Sequence, residues 1–149
     1  MTLPNDVMLT EVMTMLSEGR SVIIRAKGYS MLPFIRSELD SVELRAADAY
    51  EPQDIVLAQI SRGHFVLHRL VAVEGGAVTL RGDGNLQGVE NCRLEDICGK
   101  AVRIIRRSGA STDCTSAGFL RRSRLWQKMP YIVRRVFLAF YRRISRRMI

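Results

Sequence analysis

Between Ser21 and Arg107 the chain is a succession of short apolar runs broken by Gly, Asp and Asn corners: "SVIIRAKG", "SVELRAAD", "DIVLAQI", "FVLHRLVAVEGG", "AVTLRGDG" and "ICGKAVRIIRR". Val and Ile are dense in these runs. β-branched side chains suit a pleated, half-buried surface, and runs this short between turn residues cannot make long helices. The pattern predicts a small antiparallel or mixed β-domain over residues 21–107. Gly75-Gly76 is placed to turn a hairpin joining 64–74 to 77–81, because a two-residue hairpin turn needs positive φ at both positions.

Helical periodicity brackets this stretch. Leu9, Val12, Met13 and Leu16 share one helical face, so residues 6–18 are expected to form an amphipathic helix within an N-terminal segment 1–20. Asn5 or Asp6 can cap its start and Gly19 can end it. "SGASTDCTSAG" (108–118) has linker composition. A tail, 119–149, then returns to helical spacing as "FLRRSRLWQKM" and "PYIVRRVFLAFYRRISRRMI", with Pro130 at the first position of the second helix. The fold class expected is therefore mainly β, a small mixed β-domain with a short N-terminal helix and a basic C-terminal helical tail. At 149 residues this is one core with an appendage, and no internal repeat is visible.

Charge divides the chain sharply. Residues 1–98 hold 9 Lys+Arg against 14 Asp+Glu, net −5, whereas residues 99–149 hold 14 against 1, net +13. An acidic body with a basic tail points to an anionic partner for the tail. On a helical wheel Ile132, Val133, Val136, Phe137, Phe140 and Ile144 form one broad face. Arg134, Arg135, Arg142 and Arg146 lie off it, with Arg143 and Arg147 at its margin. That face can dock on the β-domain or on another subunit. It can equally lie in a membrane interface, with Phe side chains and Trp126 inserted and the arginines at headgroups, each cation adding about 1 kcal/mol near an anionic leaflet. Nucleic acid is not the expected partner, since no DNA-reading motif accompanies the charge.

Other classes fall away. The first twenty residues contain Asp6 and Glu11 and no basic n-region, so they do not read as a secretory peptide. No run of about 18 apolar residues exists to span a bilayer. Cys92, Cys98 and Cys114 are odd in number and lack CxxC spacing, the pattern of reduced thiols rather than of disulfides or zinc. No metal or cofactor is expected. The protein is expected in the cytoplasm, with the tail able to bring it to the inner membrane face.

Chemistry-bearing residues are few. Ser30 sits in "KGYSMLPFI" where a strand ends, and can be turn punctuation or a nucleophile; a serine hydroxyl needs a neighbouring base to attack. Only two histidines exist, His64 and His68, and three lysines, Lys27, Lys100 and Lys128. His68 lies in "FVLHRLVAV" on the same face as Val66 and Leu70 by strand alternation, so its ring faces core, partner or site. "LRGDGN" (80–85) makes a tight turn, and its Asp83 can also orient a histidine. Glu90, in "QGVENC", is a second carboxylate within reach.

Taken in order, Gly-x-Ser-Met-x-Pro, an apolar strand with His-Arg-hydrophobic, and Gly-Asp-x-Asn resemble the signal peptidase I family. The likeness is closest to its serine–histidine branch and covers residues 24–104, with "CGKAVRII" matching the closing strand. The resemblance implies a β-rich protease fold shared with self-cleaving domains of SOS-type repressors. It implies Ser30 as nucleophile and His68 as general base, with Asp83, or alternatively Glu90, as third member. Gly28, Tyr29 and Met31 would shape the turn, and the Ser30 N–H with one from the Gly28–Tyr29 corner would hold the oxyanion. The substrate would be an extended peptide segment with small side chains at the cut, hydrolysed by acyl transfer. The alternative is a catalytically inactive peptide-binding module, or a membrane-surface adaptor acting through the tail.

Overall fold

The computed structural model describes residues 6–26, 30–85 and 88–148, the side chains of 6–8 and 145–148 excepted. Lys27, Gly28 and Tyr29 lie outside the described residues, as do the Asn5 cap and the Arg146 and Arg147 side chains.

Helix α1 (Asp6–Ser17) precedes eight strands: β1 (Val22–Arg25), β2 (Ser41–Arg45), β3 (Ile55–Ser61), β4 (His64–Glu74), β5 (Ala77–Arg81), β6 (Glu90–Arg93), β7 (Ile97–Ile105) and β8 (Ser111–Asp113). Helices α2 (Ala117–Lys128) and α3 (Tyr131–Met148) follow. The strands form one sheet in the order β1-β2-β7-β3-β4-β5-β6, with β8 added on β7. Every pairing is antiparallel. Gly75 and Gly76 turn β4 into β5 at φ of 58° and 82°, and Glu74 pairs with Ala77 across them. Gly19, at φ 82°, ends α1 and donates to the Leu16 carbonyl at 3.0 Å.

Alternation on β4 builds two apolar clusters. Phe65 and Leu67 join Leu9, Val12 and Leu16 of α1 with Leu57 of β3. Val66 and Leu70 pack with Val56, Val78 and Leu80 on the opposite face. β4 is buried on both faces from Phe65 to Leu70, which is why that run reads as nearly continuous hydrophobics. His68 and Arg69, the two polar members, are 2% and 1% exposed. Groups so deeply buried require partners.

The segment expected as a linker, 108–118, contains structure: β8 pairs with β7, and the Ser116 hydroxyl accepts the Phe119 N–H at 3.2 Å as the cap of α2. The two C-terminal helices dock on the body through a small cluster of Leu32, Trp126 and Leu138, with Phe34, Met129 and Tyr141 at its edge. α3 thus faces the body with Leu138 and Tyr141; of its broad apolar face Phe137 alone packs inward at the margin, edge-on to Trp126 with ring centroids 5.5 Å apart, while Ile132, Val136 and Phe140 point away. Trp126, an expected membrane anchor in one reading of the sequence, is 4% exposed and is instead part of the docking cluster. No described helix is long and apolar enough to cross a membrane.

Candidate active site

Ser30 begins the turn that follows β1. Its neighbours Met31, Leu32 and Ile35 are fully buried, and the Phe34 and Ile35 N–H groups close on the Met31 carbonyl at 3.1 and 3.0 Å. Met31 therefore shapes the turn by filling the core. Beneath it the fully buried Asp40 carboxylate accepts the Arg36 N–H at 2.8 Å and is gripped by the guanidinium groups of Arg36 and Arg106. This end of the turn is fixed by residues that flank β2 and β7.

The other support is the turn after β5. Gly84 N–H donates to the Ser30 carbonyl at 2.7 Å, and Asn85 N–H closes on the Gly82 carbonyl at 2.9 Å. The approach leaves no room for a side chain: a Cβ at position 82 would lie 2.3 Å from the Ser30 carbonyl oxygen and 3.0 Å from Ser30 Cβ. Gly82 is required here by backbone contact with the candidate nucleophile, beyond ordinary turn chemistry.

His68 projects from β4, where it pairs with Val56 of β3, and its Nε2 lies 3.2 Å from Ser30 Oγ. On the other side of the ring, Nδ1 lies 2.7 Å from Glu90 Oε2, at the start of β6. That approach is off the line of the ring N–H, so it is a close polar contact short of an aligned hydrogen bond. The three side chains come from separate elements; the Glu90 side chain as a whole is 31% exposed against 3% for His68, but Oε2, the oxygen beside the ring, is buried. Burial, with a smaller contribution from His64, pushes the His68 imidazole down to about 3, so the ring is neutral at ordinary pH. Burial also pushes the Glu90 carboxyl up. A neutral ring with its proton on Nδ1 presents the Nε2 lone pair to the serine hydroxyl.

Asp83, the first sequence candidate for the third position, points elsewhere. Its carboxylate is bound by Arg69 Nη2 at 2.6 Å and Arg69 Nε at 3.2 Å. Arg69 also donates to the Gln53 carbonyl at 2.8 Å and lies between the Phe34 and Phe119 rings, 5.3 and 5.6 Å from their centroids. The reason is strand geometry: His68 and Arg69 are neighbours on β4 and face opposite sides, and Asp83 falls on the arginine's side. The carboxylate beside the histidine is Glu90.

Neither described lysine offers a rival base at Ser30: Lys100 lies 3.8 Å from Asp54, and Lys128 is an exposed residue at the end of α2. Among the described residues no group of three His, Cys, Asp or Glu side chains could hold a metal. A polar cavity of about 490 Å³ lined by Arg25, Glu38, Arg106 and Arg107 includes none of Ser30, His68 and Glu90.

Sequence reasoning missed the clamp on the outer side of the turn. Trp126 Nε1 donates to the Asp83 carbonyl at 2.9 Å, and Arg142 Nη2 approaches the Gly84 carbonyl at 3.5 Å. It also missed the Arg69–Asp83 pair, for which a signal existed: an arginine inside a doubly buried strand demands a carboxylate. Compared with known proteins, the chain matches no protein-family model and no curated protein.

Proposed function

We propose that the chain is a serine endopeptidase of the signal peptidase-like type, cutting an extended peptide segment by acyl transfer. The observation that carries this reading is the Ser30 Oγ–His68 Nε2 approach of 3.2 Å with Glu90 2.7 Å from the other ring nitrogen. His68 takes the Ser30 proton as Oγ attacks the scissile carbonyl, and Glu90 stabilises the imidazolium that forms. The proton then passes to the leaving amine. Water, deprotonated by the same ring, hydrolyses the acyl-enzyme. The oxyanion is assigned to the Ser30 backbone N–H, which the buried Met31–Ile35 turn and the Gly84 hydrogen bond support in a fixed pose.

Burial lets His68 do this work. A ring kept neutral needs no deprotonation before it accepts, and the carboxylate beside it offsets the cost of charging it in the transition state. Substrate is expected to bind as an added strand with small side chains at the cut. The cytoplasm is the proposed compartment, and the three free cysteines fit a reducing environment.

Comparison of protein N-termini in cells carrying the native chain or Ser30→Ala tests the proposal. New termini that depend on Ser30 are expected. Unchanged termini together with a phenotype on deleting residues 119–149 would favour a peptide-binding or surface adaptor instead.

A further inference from the structure

Helix α3 presents two unlike sides. Toward the body it offers Leu138, 2% exposed against Leu32 and Trp126, with Tyr141 beside it and Arg142 reaching the Gly84 carbonyl. Arg134 turns the same way, lining a small gap with Asp83 and Trp126. The opposite side is uncovered: Ile132, Val136 and Phe140 are 72, 65 and 64% exposed, with Val133 and Ile144 at 48 and 39%. One turn of helix separates each of the first three from the next, so they form a continuous stripe and not scattered surface apolars.

What borders the stripe selects its occupant. Arg135 and Arg143 are exposed along it, and α2 adds exposed Arg121, Arg122, Arg124 and Leu125. From residue 114 to 149 the sequence has ten Lys+Arg and no Asp or Glu. A second copy pairing α3 on α3 would bring these arginines together with no carboxylate on either helix pair to offset them. A surface that is apolar below and anionic above meets both requirements at once.

We propose that α3 lies in the plane of an anionic lipid surface. Ile132, Val136, Phe140 and Ile144 enter the acyl boundary, and Arg135 and Arg143 meet the lipid phosphates. The body sits on the inner side of the helix, so the Gly82–Asn85 turn that supports Ser30 is held close above that surface through Trp126 and Arg142. The surface is independent of any chemistry at Ser30.

Co-sedimentation of the full chain with phosphatidylglycerol/phosphatidylcholine vesicles, and with phosphatidylcholine alone, tests this. Binding to the anionic vesicles is expected to be at least about tenfold tighter and to weaken in high salt. The triple variant Ile132→Ser, Val136→Ser, Phe140→Ser should lose vesicle binding with its circular dichroism unchanged, because all three side chains are exposed. Arg135→Gln with Arg143→Gln should reduce the anionic preference. Ser30→Ala should bind like the native chain, so failed cleavage and failed docking are distinguishable. Undiminished binding by the triple variant would overturn the proposal. So would a stable dimer in solution that the triple variant converts to monomer, with no affinity for vesicles in either form.

Discussion

The indole of Trp126 donates to the backbone carbonyl of Asp83 at 2.9 Å, tying helix α2 to the turn whose next residue, Gly84, holds the Ser30 carbonyl. The C-terminal helices are thereby part of the support of the candidate site. Trp126→Phe keeps most of the packing and removes the donor. A buried carbonyl left without its partner costs about 1–3 kcal/mol, so the melting temperature should fall by a few degrees. Calorimetry measures the loss, and peptide cleavage should fall with it as the turn loosens.

Gly82→Ala places a methyl group 2.3 Å from the Ser30 carbonyl oxygen, a backbone atom that cannot swing aside. The turn must shift, and a displacement of about 1 Å at a nucleophile can cost on the order of a hundredfold in rate. Gly118→Ala is the control. It lies in α2 with nothing within 4 Å of its Cβ, so it should leave activity unchanged and stabilise the helix by roughly 0.5–1 kcal/mol.

The two carboxylates should separate cleanly. Asp83→Asn leaves the Arg69 guanidinium buried without its counter-charge, and breaking such a pair costs about 3–5 kcal/mol. Its effect should be seen in denaturation midpoint first. Glu90→Gln should change stability little, its side chain being 31% exposed. An amide donating to Nδ1 forces the wrong tautomer on His68, so turnover should drop by about 10²–10⁴-fold. A paired denaturation and kinetic measurement reads both; the reverse pattern would return the orienting role to Asp83.

Acid should weaken the fold through His68. Its folded pKa, pushed down to about 3 from 6.5, means that the unfolded chain binds the extra proton first as pH falls. Stability should therefore decline between pH 6.5 and about 3. Glu90 acts with the opposite sign: its carboxyl is pushed up from 4.5, so stability is lost as pH rises through that displaced titration. Urea midpoints across this range should show less acid sensitivity in His68→Gln than in the native chain. For cleavage, the acid limb should lie below the ordinary histidine range, because the neutral base persists there.

Much of this arrangement is legible in the residues. The strands announce themselves through β-branched runs, and the β4–β5 hairpin through Gly75-Gly76, because both signals are local. Ser30 and His68 could be singled out as the chemistry-bearing members of two such runs. That the buried Arg69 needs a carboxylate was legible, but which one it takes was not, since that depends on which side of β4 the turn lands and chain order does not specify it. Nor was β8, three polar residues whose pairing owes everything to the neighbouring strand. The wheel of α3 left docking and exposure of its broad face equally open, and the structure turns most of that face outward. A few anchors decide it, Leu138 and Tyr141 meeting Trp126 and Leu32, and a stripe left to solvent or lipid looks no different in sequence from one bound for a core.

The most direct test of the central claim is exposure of a proteome-derived peptide library to the purified native chain, Ser30→Ala and His68→Ala, with new termini read by mass spectrometry. Cleavage by the native chain alone is expected, after small residues in extended segments. Identical termini from all three proteins would contradict a serine–histidine peptidase at this site.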